Sequence, residues 1–208
     1  MHKNLIFDLG GILIDIFPER AIAAFKALGF KNEGFALQHL QESHFFETIE
    51  LIPDSEKRLC EKINTLLKKT VPTFEIVAAW NALLGDFNTE SVEVVKKLSQ
   101  THRCFLLSNT NSVHFEDYTQ TFKSQFGIGL NSMFEKTYFS HELGMRKPNT
   151  DIFTTVLEEQ KLQANETLFI DDMPENRFAA QKIGIKTIEI KTNEGLKNVL
   201  IKNRIISG

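Results

Sequence analysis

Short apolar runs that end in polar residues recur along the chain and predict buried β-strands. Gly, Asp, Ser or Asn bounds each run, as is usual for parallel strands in a sheet covered on both faces. The runs occupy residues 5–7, 104–107, 137–139, 168–170 and 185–190.

Helical patterns separate these runs. Apolar residues recur at helical spacing over 90–98, over 152–160 and over 176–183, where Gly184 is a natural C-terminal residue for a helix. Alternation of strand and helix is typical of a parallel sheet with helices on its faces. The sequence therefore predicts the α/β class.

The stretch 15–88 breaks this rhythm and predicts an inserted, all-helical unit. Its apolar residues keep helical spacing throughout, and no run in it has the character of a strand. Examples are Phe25, Leu28, Leu37, Leu40, Leu59, Ile63, Leu66 and Leu67. We expect two domains, an α/β domain of residues 1–14 plus 89–208 and a helical domain of residues 15–88.

Composition and charge narrow the class of protein. Hydrophobic residues make up 42% of the 208 residues and charged residues 25%, which is typical of a soluble globular protein and excludes a disordered one. Lys and Arg number 24 against 27 Asp and Glu, a net charge of −3. Such a chain has no general basic surface for nucleic acid, so we expect no nucleic-acid partner.

The N-terminus and the cysteines indicate a cytoplasmic protein. The apolar run at 5–7 is too short for a signal peptide or a membrane span. Cys60 and Cys104 are too few for a disulfide framework or a zinc cluster. We expect a reducing compartment, no membrane partner, and a monomer or homodimer.

Polar side chains with candidate chemistry follow several predicted strands. Asp8 follows the first strand, Ser108 and Asn109 follow the second, and Asp171 and Asp172 follow the fourth. In an open parallel sheet, ligands bind at this carboxyl edge. We therefore expect these side chains to share one site.

A compact basic turn, 144–148, precedes the last of these groups and contains Lys147 before a proline. Three carboxylates beside one lysine would repel one another unless a cation lay among them. Oxygen ligands of this kind suit Mg²⁺, which also shares the phosphate of a substrate.

Each of these pieces also has an ordinary interpretation. An Asp before Gly-Gly is often a turn, Ser-Asn-Thr-Asn is often a helix cap, and Asp-Asp before Met-Pro can begin a helix. The pair Gly10 and Gly11 is not a dinucleotide fingerprint, because the chain has no G-x-G-x-x-G. The four pieces favour catalysis only together, in this order and at strand ends.

At these residues the chain resembles the haloacid dehalogenase-like hydrolases, in the branch with a helical cap inserted after the first strand. The resemblance covers essentially the whole chain and implies a Rossmann-like parallel sheet core with an all-helical cap. The wording of its second to fourth motifs is most similar to a branch that includes phosphatases acting on glucose-1-phosphate. The four motifs are FDLGGIL at 7–13, LSNTN at 107–111, LGMRKP at 143–148 and FIDDMPEN at 169–176.

The resemblance implies a phosphatase that acts on a small phosphorylated metabolite such as a sugar phosphate. Asp8 would attack phosphorus and form an aspartyl-phosphate, which divides one difficult displacement into two. Ser108 would bind a phosphate oxygen with Asn109 beside it, and Lys147 would neutralise charge on the phosphate and on Asp8.

A Mg²⁺ cofactor is implied in the same way. Asp8, the backbone carbonyl of Gly10 and Asp172 would bind the ion, with Asp171 bound directly or through water. Metal and lysine would then balance the charge of the phosphate while the nucleophile is held in line.

One position departs from the family pattern. Phosphatases of this family usually carry a second Asp two residues after the nucleophile, where it protonates the leaving oxygen, and here that residue is Gly10. General acid–base catalysis contributes about 10²–10⁴-fold. We expect leaving groups that need little protonation, such as those of anomeric sugar phosphates or acyl phosphates, or a different proton donor. His114 is a candidate donor, and a helix surface position is the alternative for it.

The cap would select the substrate and exclude water from the site. Asp15, at the start of the cap, and Arg20 and Glu47 are candidate substrate contacts. For Arg20 and Glu47 the alternative is an ordinary solvated helix face with salt bridges.

Aromatic residues with a polar group are few, namely 1 Trp and 2 Tyr against 18 Phe. We therefore expect polar cap side chains, and not ring stacking, to recognise a sugar. This expectation requires that Trp80, Tyr118 and Tyr138 do not line the pocket.

Two other functions fit the same motifs. A 2-haloacid dehalogenase also uses an Asp in the first motif without the second Asp, but halide displacement does not need the metal site of Asp171 and Asp172. A phosphate- or phosphosugar-binding protein whose catalysis lapsed with the change to Gly10 is the non-enzymatic alternative.

Overall fold

A computed structural model describes residues 2–30, 44–191 and 194–207. Its main sheet has five parallel strands in the order β5-β4-β1-β6-β7. The predicted α/β class and all five predicted strands are confirmed. In chain order the strands of the described residues are β1 (Asn4–Phe7), β2 (Ile14–Ile16), β3 (Leu84–Phe87), β4 (Arg103–Ser108), β5 (Lys136–Phe139), β6 (Thr167–Asp171) and β7 (Lys186–Glu189).

Strand β1 lies at the centre of the sheet and is buried along its whole length. Its register places Leu5 between Cys104 of β4 and Leu168 of β6. Alternate residues point to opposite faces of a strand, so Phe7 and Ile6 pack into two different apolar cores. Helices must therefore cover both faces, which is why the strands read as continuous apolar runs.

The helices occupy the intervals that the pattern indicates, within about two residues at each end. The predicted helices at 90–98, 152–160 and 176–183 correspond to α5, α8 and α9. The α-helices of the described residues are α1 (Pro18–Ala27), α2 (Phe45–Ile49), α3 (Glu56–Leu67), α4 (Thr73–Asn81), α5 (Thr89–Leu98), α6 (Ser112–Phe126), α7 (Ser140–Leu143), α8 (Thr150–Glu159), α9 (Pro174–Lys182) and α10 (Leu196–Lys202).

The prediction that residues 15–88 contain no strand is wrong. Strands β2 and β3 pair antiparallel, with Ile14 opposite Phe87 and Ile16 opposite Leu84. A strand of three residues is too short to show a period, and Gly and Asp at 85–86 are residue types that strands disfavour. This two-stranded ribbon lies where the chain leaves the sheet domain and where it returns.

Helices α1 to α4 build an apolar core of their own. Phe25, Ile49, Leu59 and Trp80 belong to it, and Val113 of α6 joins it from the sheet side. A separate core supports the expectation of a helical cap, and the limits 15–88 stay a prediction. Leu37 and Leu40, which contributed to that expectation, lie outside the described residues.

Candidate active site

The first motif places a carboxylate at the edge of the sheet. Asp8 directly follows β1, and its backbone N–H donates to Ile170 at 2.9 Å, so the residue continues the strand. Gly11 then turns the chain with φ 70°, and a Cβ atom there would lie 2.9 Å from Asp172 Oδ2. A side chain at Gly11 would therefore be strained and would crowd Asp172.

Lys147 joins the first motif to the fourth. Its Nζ donates to Asp8 Oδ1 at 2.7 Å and to Asp171 Oδ2 at 2.9 Å, with the lysine side chain 1% exposed. Asn109 fixes the lysine backbone at both groups, because Asn109 Nδ2 donates to the Lys147 carbonyl at 2.8 Å and Asn109 Oδ1 accepts from its N–H at 2.9 Å. The Asn109 side chain is thus occupied in positioning Lys147.

Both carboxylate oxygens of Asp171 accept hydrogen bonds. Its Oδ1 accepts from the Met173 N–H at 2.8 Å, and Asn176 Nδ2 reaches both carboxylate oxygens at 3.2 and 3.1 Å. With Lys147 included, three residues donate to Asp171. Asp172, by contrast, is only partly buried beside Asp8.

Burial and like charge raise the pKa values of the acids. Burial raises the pKa of Asp8 against the lowering effect of Lys147, and Asp171 raises it further. Burial, followed by the charge of Asp171, also raises the pKa of Asp172. Burial alone would lower the pKa of Lys147, but Asp8 and Asp171 outweigh that effect and raise it. The lysine therefore keeps its proton.

The three carboxylates fit a bound cation. One oxygen each from Asp8, Asp171 and Asp172 lies within 4.8 Å of the others. Three carboxylates share the single ammonium group of Lys147, which contacts Asp8 and Asp171, so the cluster carries excess negative charge. Hard oxygen ligands of this kind suit Mg²⁺.

Two cavities lie beside the first motif. The wide cavity, about 840 Å³, is lined by Asp8, Gly10, Asp15 and Asp172 among others. The second cavity, about 270 Å³, is called the aromatic cavity here. Gly10 and Ile16 line both cavities. The aromatic cavity is lined by Leu9, Gly10, Ile14, Ile16, Phe46, Glu50, Trp80, Leu83, Leu84, Ser108, Asn109, Thr110, Asn111, His114 and Tyr118.

The expectation that Trp80 and Tyr118 stay away from the pocket is wrong, because both line the aromatic cavity. Two rings stack on the Trp80 indole, however. The indole centroid lies 5.4 Å from that of Phe46 and 5.3 Å from that of His114. Trp80 is also 2% exposed, so the indole offers little free surface to a ligand. Tyr138 does not line either cavity.

His114 does not have the properties of a proton donor at neutral pH. It is half-buried, its Nδ1 lies 2.8 Å from Asn81 Oδ1, and burial lowers its pKa to about 3. The helix surface position that we gave as the alternative is also wrong, since the ring stacks on Trp80.

The other predicted site residues differ in whether they line one of the two cavities. Ser108 is buried at the end of β4 and lines the aromatic cavity, and Asp15 lines the wide cavity. Arg20 is exposed, with its guanidinium 3.8 Å from the centre of the Phe17 ring. Glu47 contacts His44 at 3.0 Å and lies on an exposed face. The structure does not bring Arg20 or Glu47 to the walls of either cavity.

Glu50 and Arg146 are site residues that sequence reasoning missed. Nε and Nη2 of Arg146 both contact Glu50 Oε2 at 2.9 Å, and Nη1 lies 3.7 Å from Glu47 Oε1. Burial raises the pKa of Glu50 against the opposite effect of Arg146. The position of Arg146 beside Lys147 was a usable signal, but nothing in the sequence pairs it with Glu50.

Comparisons with known proteins agree with this geometry. Residues 5–190 match the family described as haloacid dehalogenase-like hydrolase. The chain is 27% identical to a D-ribitol-5-phosphate phosphatase of Bacteroides thetaiotaomicron, over 91% of this chain and 92% of that one. It is 40% identical to a sesquiterpene phosphatase of Aspergillus oryzae, over 88% and 87%.

A solved structure is similar over the same extent. It is a haloacid dehalogenase-family enzyme from Bacteroides thetaiotaomicron in complex with magnesium and inorganic phosphate. The TM-score is 0.86 and the identity 33%, and the match covers 96% of this chain and 99% of that one.

Proposed function

Because the chain belongs to the haloacid dehalogenase-like hydrolases, we propose that it is a Mg²⁺-dependent phosphatase of a small phosphorylated metabolite, such as a sugar phosphate. The observation that carries this function is the contact of a buried lysine with Asp8 at 2.7 Å beside a cluster of three carboxylates. The names of the two phosphatase relatives and the magnesium and phosphate of the similar structure support it.

Asp8 is the nucleophile in this proposal. Lys147 holds Asp8 Oδ1, and among the described residues no hydrogen bond reaches Oδ2. Oδ2 attacks phosphorus, the bond from phosphorus to the leaving oxygen breaks, and an aspartyl-phosphate forms. Water then attacks this phosphorus and releases phosphate with Asp8 restored.

Lys147 and Ser108 stabilise the transferring phosphoryl group. The Lys147 ammonium is fixed by Asn109 and Asp171, so its charge is positioned before the substrate binds. The Ser108 hydroxyl is 3.4 Å from the Asn109 carbonyl, a weak contact that it can exchange for a phosphate oxygen.

Asp8, Asp172 and the Gly10 carbonyl would hold Mg²⁺. Asp171 already accepts hydrogen bonds from Lys147, Met173 and Asn176. Its main function in this proposal is therefore to position Lys147. It would contact the ion directly or through water. When bound, Mg²⁺ supplies positive charge that neutralises the phosphate oxygens.

The two alternatives have less support. A 2-haloacid dehalogenase has no need for the three clustered carboxylates. A lapsed enzyme has no need to keep Lys147 buried between Asp8 and Asp171. Gly10 leaves the source of the leaving-group proton open, since the low pKa of His114 argues against that residue.

The test is phosphate release from p-nitrophenyl phosphate and a panel of sugar phosphates, with Mg²⁺ and with EDTA, by the protein and by Asp8→Asn. We expect release that needs Mg²⁺ and falls by at least about 10³-fold in the variant. Chloride release from a 2-haloacid would support the dehalogenase. No release from any phosphate ester would support the lapsed enzyme.

Among the described residues, no helix is both long enough and apolar enough to cross a membrane. The cytoplasmic location, the lack of a nucleic-acid partner and the monomer or homodimer stay predictions.

A further inference from the structure

The aromatic cavity contains one charged group. Glu50 is the only charged residue in its wall among the described residues, and its side chain is 19% exposed. Ser108, at the phosphate end, lines the same cavity. An alcohol portion that extends from a phosphate bound at Ser108 into this cavity therefore meets Glu50.

One oxygen of Glu50 is free. Both close contacts from Arg146 go to Oε2, and among the described residues no hydrogen bond reaches Oε1. Burial raises the pKa of this carboxyl against the opposing effect of Arg146. A partly buried carboxylate oxygen without a donor gains from a new hydrogen bond.

Three polar side chains of this wall, Asn109, Asn111 and His114, already have hydrogen-bond partners, whereas the buried Tyr118 hydroxyl has none among the described residues. Asn109 binds the Lys147 backbone, Asn111 Oδ1 accepts from Trp80 Nε1 at 3.3 Å and from the His114 N–H at 3.1 Å, and His114 Nδ1 contacts Asn81. Because Trp80 is buried and stacks on Phe46 and His114, it leaves no free ring face for a sugar.

We propose that Glu50 is a specificity-determining residue whose Oε1 accepts a hydrogen bond from a hydroxyl group of the substrate's alcohol portion. This inference rests on the proposed phosphatase function. It assigns the substrate class as phosphate esters of hydroxylated alcohols, that is sugar or polyol phosphates, in preference to esters of purely apolar alcohols. An apolar chain in this cavity would leave Oε1 of Glu50 shielded from water and without a donor.

Arg146 explains why the donor is a hydroxyl and not an ammonium group. Its guanidinium contacts Glu50 at 2.9 Å and balances the charge. What remains is an acceptor lone pair, which suits a neutral donor. The wall of aromatic and aliphatic residues suits the C–H groups of a polyol.

The experiment compares D-ribitol-5-phosphate with pentyl phosphate, which has the same five-carbon chain without hydroxyls, and with phosphoethanolamine. p-Nitrophenyl phosphate serves as the measure of basal chemistry. We expect kcat/KM for D-ribitol-5-phosphate to exceed that for pentyl phosphate by about tenfold to a hundredfold, and Glu50→Ala to remove this preference. Because p-nitrophenyl phosphate has no hydroxyl to bind, Glu50→Ala should lower its kcat/KM by a smaller factor than it lowers kcat/KM for D-ribitol-5-phosphate.

Glu47→Ala is the matched control. Glu47 also contacts Arg146, at 3.7 Å, but its side chain is 48% exposed and does not line the cavity. This variant should keep the preference for the hydroxylated substrate. Glu50→Gln, which keeps an acceptor oxygen and a similar shape, should restore part of the preference lost in Glu50→Ala.

Several results would overturn the inference. They are a wild-type protein without preference for the hydroxylated ester, a Glu50→Ala variant that slows all substrates equally, or a preference for phosphoethanolamine. If the wild-type protein does not hydrolyse even p-nitrophenyl phosphate with Mg²⁺, the proposed function itself fails, and this outcome is distinct from the others.

Discussion

At the scale of single residues, Lys147 is the charge on which the site depends. One ammonium group contacts two buried carboxylates, Asp8 at 2.7 Å and Asp171 at 2.9 Å. Burying three ionised groups is costly, and only their close contacts and the donors around Asp171 offset that cost. The lysine therefore serves both the stability of the fold and the chemistry.

Lys147→Met removes this charge and keeps a similar length of side chain. We expect kcat for p-nitrophenyl phosphate to fall by at least about 10²–10³-fold, because the transferring phosphoryl group loses a positioned cation. The free energy of unfolding, measured by urea titration without Mg²⁺, should fall by about 3–5 kcal/mol, because two buried carboxylates lose their partner.

Lys3→Met is the control for this change. The ion pair of Lys3 with Glu166 is largely exposed, so Lys3→Met should lower the free energy of unfolding by less than about 1 kcal/mol.

The destabilisation by Lys147→Met should depend on pH. Since burial raises the pKa of Asp8, acidification should protonate this carboxyl and reduce the destabilisation. Equal stability of that variant and the wild type at pH 7 would contradict this account.

At the scale of elements, the ribbon of β2 and β3 pairs the two ends of the stretch that contains α1 to α4. Its strands are packed tightly at Gly85, where a Cβ atom would lie 2.6 Å from Cε2 of the Phe17 ring and 3.0 Å from the Asp15 carbonyl oxygen. Phe17 and Asp15 both line the wide cavity. The ribbon therefore places part of the cavity wall.

Gly85→Ala should destabilise the protein by about 1–3 kcal/mol, because the added methyl group forces Phe17 or the backbone of β2 to move. Thermal unfolding measures the effect, and kcat/KM should fall with it as the cavity wall shifts. Gly129→Ala is the matched control, since nothing lies within 4 Å of a Cβ atom there. A Gly85→Ala variant as stable as this control would contradict the prediction, because it would show that Phe17 and the backbone of β2 can move at little cost in free energy.

The elements that the sequence predicts correctly are those whose own pattern of apolar and polar residues determines them. The five parallel strands are continuous apolar runs because helices cover both faces, and Asp8, Ser108 and Asp171 could be placed because each directly ends such a strand. The ribbon escaped prediction because β2 is short and pairs with a segment on the far side of the helical unit.

Contacts between segments that are distant in sequence could not be predicted either. Arg146 and Glu50 are separated by 96 positions, and each has the pattern of an ordinary surface charge. Glu47 and Glu50 lie one helical turn apart, yet only packing decides that Glu50 faces the cavity. The stacking of Phe46 and His114 on Trp80 likewise involves residues of three different helices, so no local sequence pattern predicts it.

At the scale of the whole molecule, Mg²⁺ should stabilise the fold. The cluster of Asp8, Asp171 and Asp172 is short of positive charge, so an ion that binds it favours the folded state. At a concentration about 100 times its Kd, a ligand adds about 2.7 kcal/mol. We expect Tm to rise with added Mg²⁺ and to fall with EDTA, as measured by calorimetry.

Asp172→Asn should abolish most of this shift while raising Tm in EDTA, because it removes one of three mutually repelling charges. Asp54→Asn, at an exposed position far from the motifs in sequence, should leave the shift unchanged. A Tm that does not respond to Mg²⁺ in the wild type would contradict a cation site at this cluster.

The position of Trp80 has an optical consequence. It is the chain's single tryptophan, and it stacks on Phe46 of α2 and on His114 of α6. Indole emission responds to the polarity and the neighbours of the ring, so separation of α2 from α6 would change both. The molecule thus contains an intrinsic fluorophore in the wall of the aromatic cavity, and movement of these two helices can be followed without any label.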